Sequence, residues 1–153
     1  MSVIFRIPGH FRKWCDGYFP HFRCTIEVDG RHIIPTNVLL DTGSPFTPIM
    51  PKDYLRTRLG VAPDRDRNKT CYLASAKFYR VPIDKSVVFK FPTVDGKLKR
   101  LPLDDAIFMS PMDDRDMKIV QSIPSILGLN FLTENKLRFF TEPAKDIAYI
   151  EGD

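Results

Sequence analysis

The sequence predicts a mostly β fold. Three observations predict it: many short segments with strand-like patterning, two Asp-Gly turn signals that join such segments, and only two stretches that read as helix, both short. The clearest strand is Phe22 to Val28, where Phe22, Cys24, Ile26 and Val28 fall on one face and Arg23, Thr25 and Glu27 on the other. Asp29-Gly30 follows as a hairpin turn, since glycine accepts the positive φ such turns need. Asn37 to Leu40 is too apolar to alternate and reads as a strand buried on both faces.

The remaining elements follow in order. Val3 to Ile7 is short and apolar and reads as a strand, and His10 to His21, with Gly9, Gly17 and Pro20 as punctuation, reads as a loop. Pro51 to Leu59 reads as a helix, with Pro51 suited to its first turn and Gly60 to its stop. Asp64 to Lys69 is a charged loop, and Thr70 to Val81 is extended. Lys85 to Phe91 and Lys97 to Phe108 flank Asp95-Gly96 as a second hairpin. Ser110 to Asp116 is a polar loop, a short helix opens near Gly128, and Leu137 to Phe140 and Ile147 to Ile150 are strands.

The chain has 153 residues, which suits one domain over residues 1–153, with residues 1–21 as an N-terminal extension of strand and loop. Apolar residues make up 43% and charged residues 27%, the balance of a water-soluble globular protein. The net charge of +4 comes from 23 Lys and Arg scattered along the chain; a nucleic-acid face would cluster them, so no nucleic-acid partner is expected. The odd count of three cysteines (Cys15, Cys24 and Cys71) gives no disulfide framework. With no signal-peptide pattern over Met1 to Lys13 and no apolar run near the roughly 20 residues that span a bilayer, the expectation is a cytoplasmic protein with no membrane partner.

The segment that carries chemistry is Val38-Leu39-Leu40-Asp41-Thr42-Gly43-Ser44. An apolar strand runs straight into a carboxylate, which is then rigidly held and partly desolvated. Such a group needs donors. Gly43 permits a tight turn whose backbone N–H groups point back at Asp41, Ser44 offers a hydroxyl close to the same carboxylate, and Thr42 offers one to lock the turn from the far side. Two carboxylates about 3 Å apart cannot both ionise near neutral pH, so one is acid and the other base toward a water held between them. The chain holds one such turn. Asp29-Gly30 and Asp95-Gly96 lack the intervening hydroxyl residue, so for chemistry that needs such a pair homodimerisation about a two-fold axis is the economical source of the second carboxylate.

Leu39-Leu40-Asp41-Thr42-Gly43-Ser44 resembles the signature of retropepsin-like (clan AA) aspartic proteases, and Ser125-Ile126-Leu127-Gly128-Leu129-Asn130-Phe131-Leu132 resembles their C-terminal segment. The likeness spans roughly Phe22 to Ile150, with the two motifs as its specific parts. It implies a closed β-barrel of the acid protease fold, one lobe per chain, with one or two short helices. It implies an aspartic endopeptidase working as a homodimer on peptide or protein substrates, with Asp41 as the catalytic residue, Thr42, Gly43 and Ser44 supporting it, and Ile126, Leu127 and Gly128 backing the turn. No cofactor and no metal enter that chemistry. The implied flap is Thr70 to Val81, with Ala74, Ser75 and Ala76 at its tip; flap tips in that family are usually glycine-rich, and this stretch has no glycine. A non-catalytic peptide-binding module on the same fold is the alternative.

Other residues read as structural. His10, Cys15, His21 and Cys24 lack the paired spacing of zinc ligands. Trp14, Tyr18, Phe19 and Phe22 among basic residues read as packing over one end of the domain or as part of a dimer contact. Asp113-Asp114-Arg115-Asp116 and Asp104-Asp105 lack the alternating oxygens and turn glycine of a calcium loop and read as solvated. Of Tyr72, Phe78 and Tyr79, alternation turns at least one into the core.

Overall fold

Period-two patterning carries most of the chain into strands in the computed structural model, which describes residues 4–113 and 117–153. Strand β1 (Phe5–Trp14) turns through Cys15-Asp16 into the long β2 (Gly17–Val28), and β2 turns through Asp29 and Gly30 into β3 (His32–Leu40). Asp29 and Gly30 both take positive φ. Phe22, Cys24, Ile26 and Val28 are all buried, as their alternation requires, and Val38, Leu39 and Leu40 are buried on both faces.

The stretch from His10 to His21 is a hairpin, not the expected loop. His10 pairs with His21 and Trp14 with Gly17. Gly9, which resembles a breaker, is a site of close approach: a Cβ there would sit 2.5 Å from the Phe22 ring and 2.9 Å from the His21 carbonyl oxygen. Beside the turn, Trp14 packs edge-on against Phe19, 5.9 Å between ring centres.

After β3 come β4 (Thr47–Ile49) and the one-turn helix α1 (Pro51–Tyr54). Pro51 starts this helix as expected, but α1 ends at Tyr54 rather than Leu59, where the Thr57 hydroxyl donates to the Tyr54 carbonyl oxygen (2.7 Å). Strands β5 (Thr70–Leu73) and β6 (Ala76–Pro82) form one hairpin, and β7 (Val87–Pro92) and β8 (Leu98–Leu103) another. The strand expected to continue through Phe108 breaks at Asp104-Asp105, and β9 (Ala106–Pro111) crosses to a different sheet. Helix α2 (Met117–Val120), strand β10 (Ile126–Leu127), helix α3 (Leu129–Glu134), β11 (Arg138–Glu142), a 3-10 turn and β12 (Ile147–Gly152) complete the order. Asp114, Arg115 and Asp116 of the acidic cluster lie outside the described residues.

Pairing defines two curled half-barrel sheets. The larger runs β10-β3-β2-β1-β12-β11, with β7 and β8 joined to it through β2; the smaller runs β4-β9-β6-β5. Between them lies a core in which Phe131 meets Phe89 and Phe91 at 5.1 and 6.0 Å between ring centres. A second cluster of Met50, Ala76, Phe78, Met109, Val120 and Ile123 packs on the smaller sheet. No described helix is long and apolar enough to cross a membrane.

His21 has a thermodynamic consequence. It is only 5% exposed, and its Nδ1–H donates to the Phe19 carbonyl oxygen at 2.8 Å. Burial lowers its pKa below the ordinary 6.5, outweighing that hydrogen bond; Arg12, His10 and Lys52 push the same way as burial. The unfolded chain therefore binds a proton near pH 6.5 while the folded one still resists it. Stability is full above pH 6.5 and falls as pH drops from there toward the lowered folded value. Urea-unfolding midpoints measured from about pH 7.5 down to 5.5 should decline for the wild type, and His21→Gln should flatten that decline.

Candidate active site at the Asp41 turn

Asp41 sits at the end of β3, where the strand leaves the sheet. The cause is a parallel partner. Ile126 pairs with Leu39 and Leu127 with Leu40, so β10 underlies the last two residues before the carboxylate. The Asp41 N–H donates to the Leu127 carbonyl oxygen (3.1 Å), and the Leu39 N–H to that of Ser125 (2.9 Å). Beyond Asp41 the chain turns back tightly, with the Ser44 N–H donating to the Asp41 carbonyl oxygen (3.1 Å). The Gly43 N–H points at the side chain and donates to Asp41 Oδ1 at 2.9 Å. Asp41 is half-buried, while Thr42 and Gly43 are exposed.

Ser44 behaves differently from its expected role. Its hydroxyl donates to the Phe46 carbonyl oxygen (2.8 Å), so it braces the turn rather than the carboxylate. Among the described residues the Thr42 hydroxyl makes no hydrogen bond within this one chain.

Gly128 locks β10 against the turn. The Leu129 N–H donates to the Ser44 carbonyl oxygen (2.8 Å), and a Cβ on Gly128 would lie 1.8 Å from the Phe46 carbonyl oxygen. No side chain fits there. Thr47, fully buried, ties the same point together: its hydroxyl accepts from the Gly128 N–H (3.0 Å) and donates to Asn130 Oδ1 (2.6 Å).

Underneath lies a buried polar cluster. Asp53 is fully buried, yet both carboxylate oxygens are satisfied, Oδ1 by the Thr36 hydroxyl (2.7 Å) and Oδ2 by the Ser125 hydroxyl (2.6 Å). The Ser125 oxygen also accepts from the Met50 N–H (2.9 Å). Three separated segments are thus pinned to one carboxylate: β3, α1 and the residue that opens β10. Cys24 is buried nearby, and burial, with the Asp53 charge behind it, pushes its thiol far up, leaving it inert.

Above the turn a cavity of about 250 Å³ opens between Asp41, Ser44 and Phe46 on one side and the β5–β6 hairpin on the other. Ile126 and Met109 form part of its floor. The hairpin reaches it through Cys71, Tyr72 and Leu73. At the tip, Ala74 and Ser75 take φ of 49° and 69°, the left-handed pair that a tight two-residue hairpin turn demands, here without glycine. Ala76 is 2% exposed and turned into the second core cluster, and Phe78 is its buried neighbour, whereas Tyr72 is 71% exposed.

No protein-family model matches this chain, and no curated protein matches it.

Of the residues expected from sequence, the structure brings together Asp41, Thr42, Gly43, Ser44, Ile126, Leu127 and Gly128, and sets Ala74 and Ser75 at the tip of the hairpin over the cavity. His10 and His21 face each other across a strand pair, with Cys15 exposed at the turn and Cys24 in the core; among the described residues no three His, Cys, Asp or Glu side chains converge. Sequence reading missed Thr36, Thr47 and Asp53, and it quoted Ser125 and Asn130 within the C-terminal motif without giving them a role. The available signals were slight: Asp53 stands in the first turn of a predicted helix, and Ser125 immediately precedes Ile-Leu-Gly.

Two substitutions test this scaffold by urea unfolding. Gly128→Ala should cost about 3 kcal/mol or more, because the backbone it meets cannot retreat. Ser125→Ala should cost about 1–3 kcal/mol, since it strips Asp53 and the Met50 N–H of a buried partner. A loss under about 0.5 kcal/mol for either would show that the turn does not depend on β10.

Proposed function

We propose that this chain is a retropepsin-like aspartic endopeptidase, with the acid protease fold, whose active site forms when two copies bring their Asp41 carboxylates together. The observation that carries the reading is the support of Asp41: a carboxylate at a strand end, held by the Gly43 N–H, backed by parallel Ile126–Leu127, and facing a hairpin-roofed cavity of about 250 Å³. A general acid–base pair needs this kind of fixed and half-exposed carboxylate.

The chemistry follows from the pair. Two Asp41 groups share one proton. The ionised one takes a proton from a water held between them as that water attacks the peptide carbonyl carbon, and the protonated one donates to the carbonyl oxygen. The resulting gem-diol collapses when the leaving nitrogen gains a proton, and the C–N bond breaks. No covalent enzyme intermediate is needed. An extended substrate lies across the two-fold axis under the β5–β6 hairpins, which act as flaps and add backbone hydrogen bonds. A cytoplasmic setting belongs to the same proposal, resting on the odd cysteine count.

The test is cleavage of an unfolded protein from about pH 3 to pH 7, with wild type and Asp41→Asn compared at matched folding. The wild type should cut, and Asp41→Asn should lose about 10²-fold to 10⁴-fold in rate. At low concentration the rate should rise faster than linearly with protein, and excess Asp41→Asn chain should suppress wild-type activity by forming mixed pairs. Undiminished cleavage by Asp41→Asn would sink the proposal. Folded wild-type dimers that bind peptides without cutting them would favour a binding module instead.

A further inference from the structure

The cavity over Asp41 does not end at the catalytic turn. It shares a wall of Phe46, Arg80 and Ile107 with a second cavity of about 280 Å³, completed by Arg67, Asn68, Lys69 and Pro82. The two differ in character. The first is lined mainly by apolar side chains, and Asp41 is its acidic residue. The second has three cationic side chains on its lining and no acidic one.

Arg80 stands at the junction. It lies on β6 opposite Met109 of β9, and its backbone N–H donates to the Lys69 carbonyl oxygen (2.8 Å), which draws Lys69 to its side. Its guanidinium carbon lies over the Phe46 ring, 4.7 Å from the ring centre, in cation–π contact. Its Nε is buried and has no hydrogen-bond partner. Two other strand arginines are treated differently: Arg6 and Arg138 both bind Glu151, at 3.1 and 3.0 Å. Among the described residues no carboxylate pairs with Arg80. A buried guanidinium donor without an acceptor is costly, and a carboxylate meets it with two parallel hydrogen bonds.

We propose that Arg80, with Lys69, forms a carboxylate-binding subsite that selects peptide substrates carrying Glu or Asp beside the residue held over Asp41; Arg67, also on its lining, is already paired with Asp64 (3.4 Å). This rests on the peptidase reading for its register but not for its chemistry. Arg80 is a specificity residue: it touches the substrate side chain, not the scissile bond. Phe46 holds the guanidinium, and the apolar wall of the first cavity takes the neighbouring side chain of the same extended chain.

The experiment is a peptide scan. Peptides identical but for one residue (Glu, Gln or Lys), moved through each position flanking the scissile bond, are compared by kcat/KM with the wild type. At one position Glu should exceed Gln by about tenfold or more, chiefly through KM, and the preference should fade with added salt. Arg80→Gln should bring the Glu peptide down to the Gln peptide's rate, and Arg80→Glu should turn the preference toward Lys; circular dichroism checks that both variants fold. Equal cleavage of Glu and Gln peptides by the wild type at every position overturns the proposal while leaving the peptidase reading intact, and needs no variant. If the wild type cuts nothing, the same peptides, fluorescently labelled, are titrated against it. Tighter binding of a Glu peptide that Arg80→Gln abolishes sustains the subsite and removes the peptidase, and equal binding overturns the subsite too.

Discussion

Two residue pairs hold the candidate site in position. Where Leu39 and Leu40 of β3 lie parallel to Ile126 and Leu127 of β10, segments more than eighty residues apart in the chain become one surface, and the next residue on β3 is Asp41. A strand ending in solvent would leave its terminal carboxylate free to swing. Here the Asp41 N–H is held by Leu127, and the turn beyond it is pinned through Ser44 and Leu129. Position 128 must be glycine for this contact to exist, because the Phe46 carbonyl oxygen occupies the space of a Cβ. The rigidity of the carboxylate is thus a property of the whole chain, not of its local motif.

The pairing is braced by a buried carboxyl group whose two oxygens are each hydrogen-bonded. A lone carboxylate in the core would destabilise the fold by several kcal/mol, and hydroxyl donors from two different elements offset that cost. Asp53 takes one from Thr36 on β3 and one from Ser125 ahead of β10. An apolar side chain of the same size would pack there with no geometric preference. A carboxylate fixes the distance between β3 and the residue ahead of β10 to hydrogen-bond precision.

The cleft joins opposite characters. Its floor and the β5–β6 hairpin are largely apolar, and its far end is cationic. The hairpin tip turns without glycine: Ala74 and Ser75 each sit in a left-handed conformation that costs an L-residue about 1 kcal/mol. Ala76 and Phe78, just beyond the tip, anchor the hairpin in the second core cluster. Cys71, Leu73 and Ala74 pack against the same cluster, so both strands of the hairpin are anchored and Tyr72 is the side chain left exposed.

Local chemistry made much of this legible in the residues alone. Alternation places Phe22, Cys24, Ile26 and Val28 inward wherever that strand pairs, because successive side chains on a strand point to opposite faces. Asp-Gly turns, the Pro51 helix start and the Asp41-Thr42-Gly43 turn likewise depend on a few neighbouring atoms. Tertiary structure decided what depends on distant neighbours. Gly9, Gly17 and Pro20 resemble loop residues until the strand crossing over Phe22 makes Gly9 necessary and His10–His21 a hairpin. Ser44 could brace either the carboxylate or the backbone, and the position of Phe46 chose the backbone. Asp53 reads as an ordinary charge in a first helical turn, since nothing nearby in sequence shows that Thr36 and Ser125 will meet it. Arg80 reads as one cation among 23, and only the folding of β6 beside Phe46 leaves its Nε buried and without a partner. Periodicity and turn chemistry act over a few residues and are written in the sequence; burial and hydrogen-bond pairing are set by which distant segments the fold brings together.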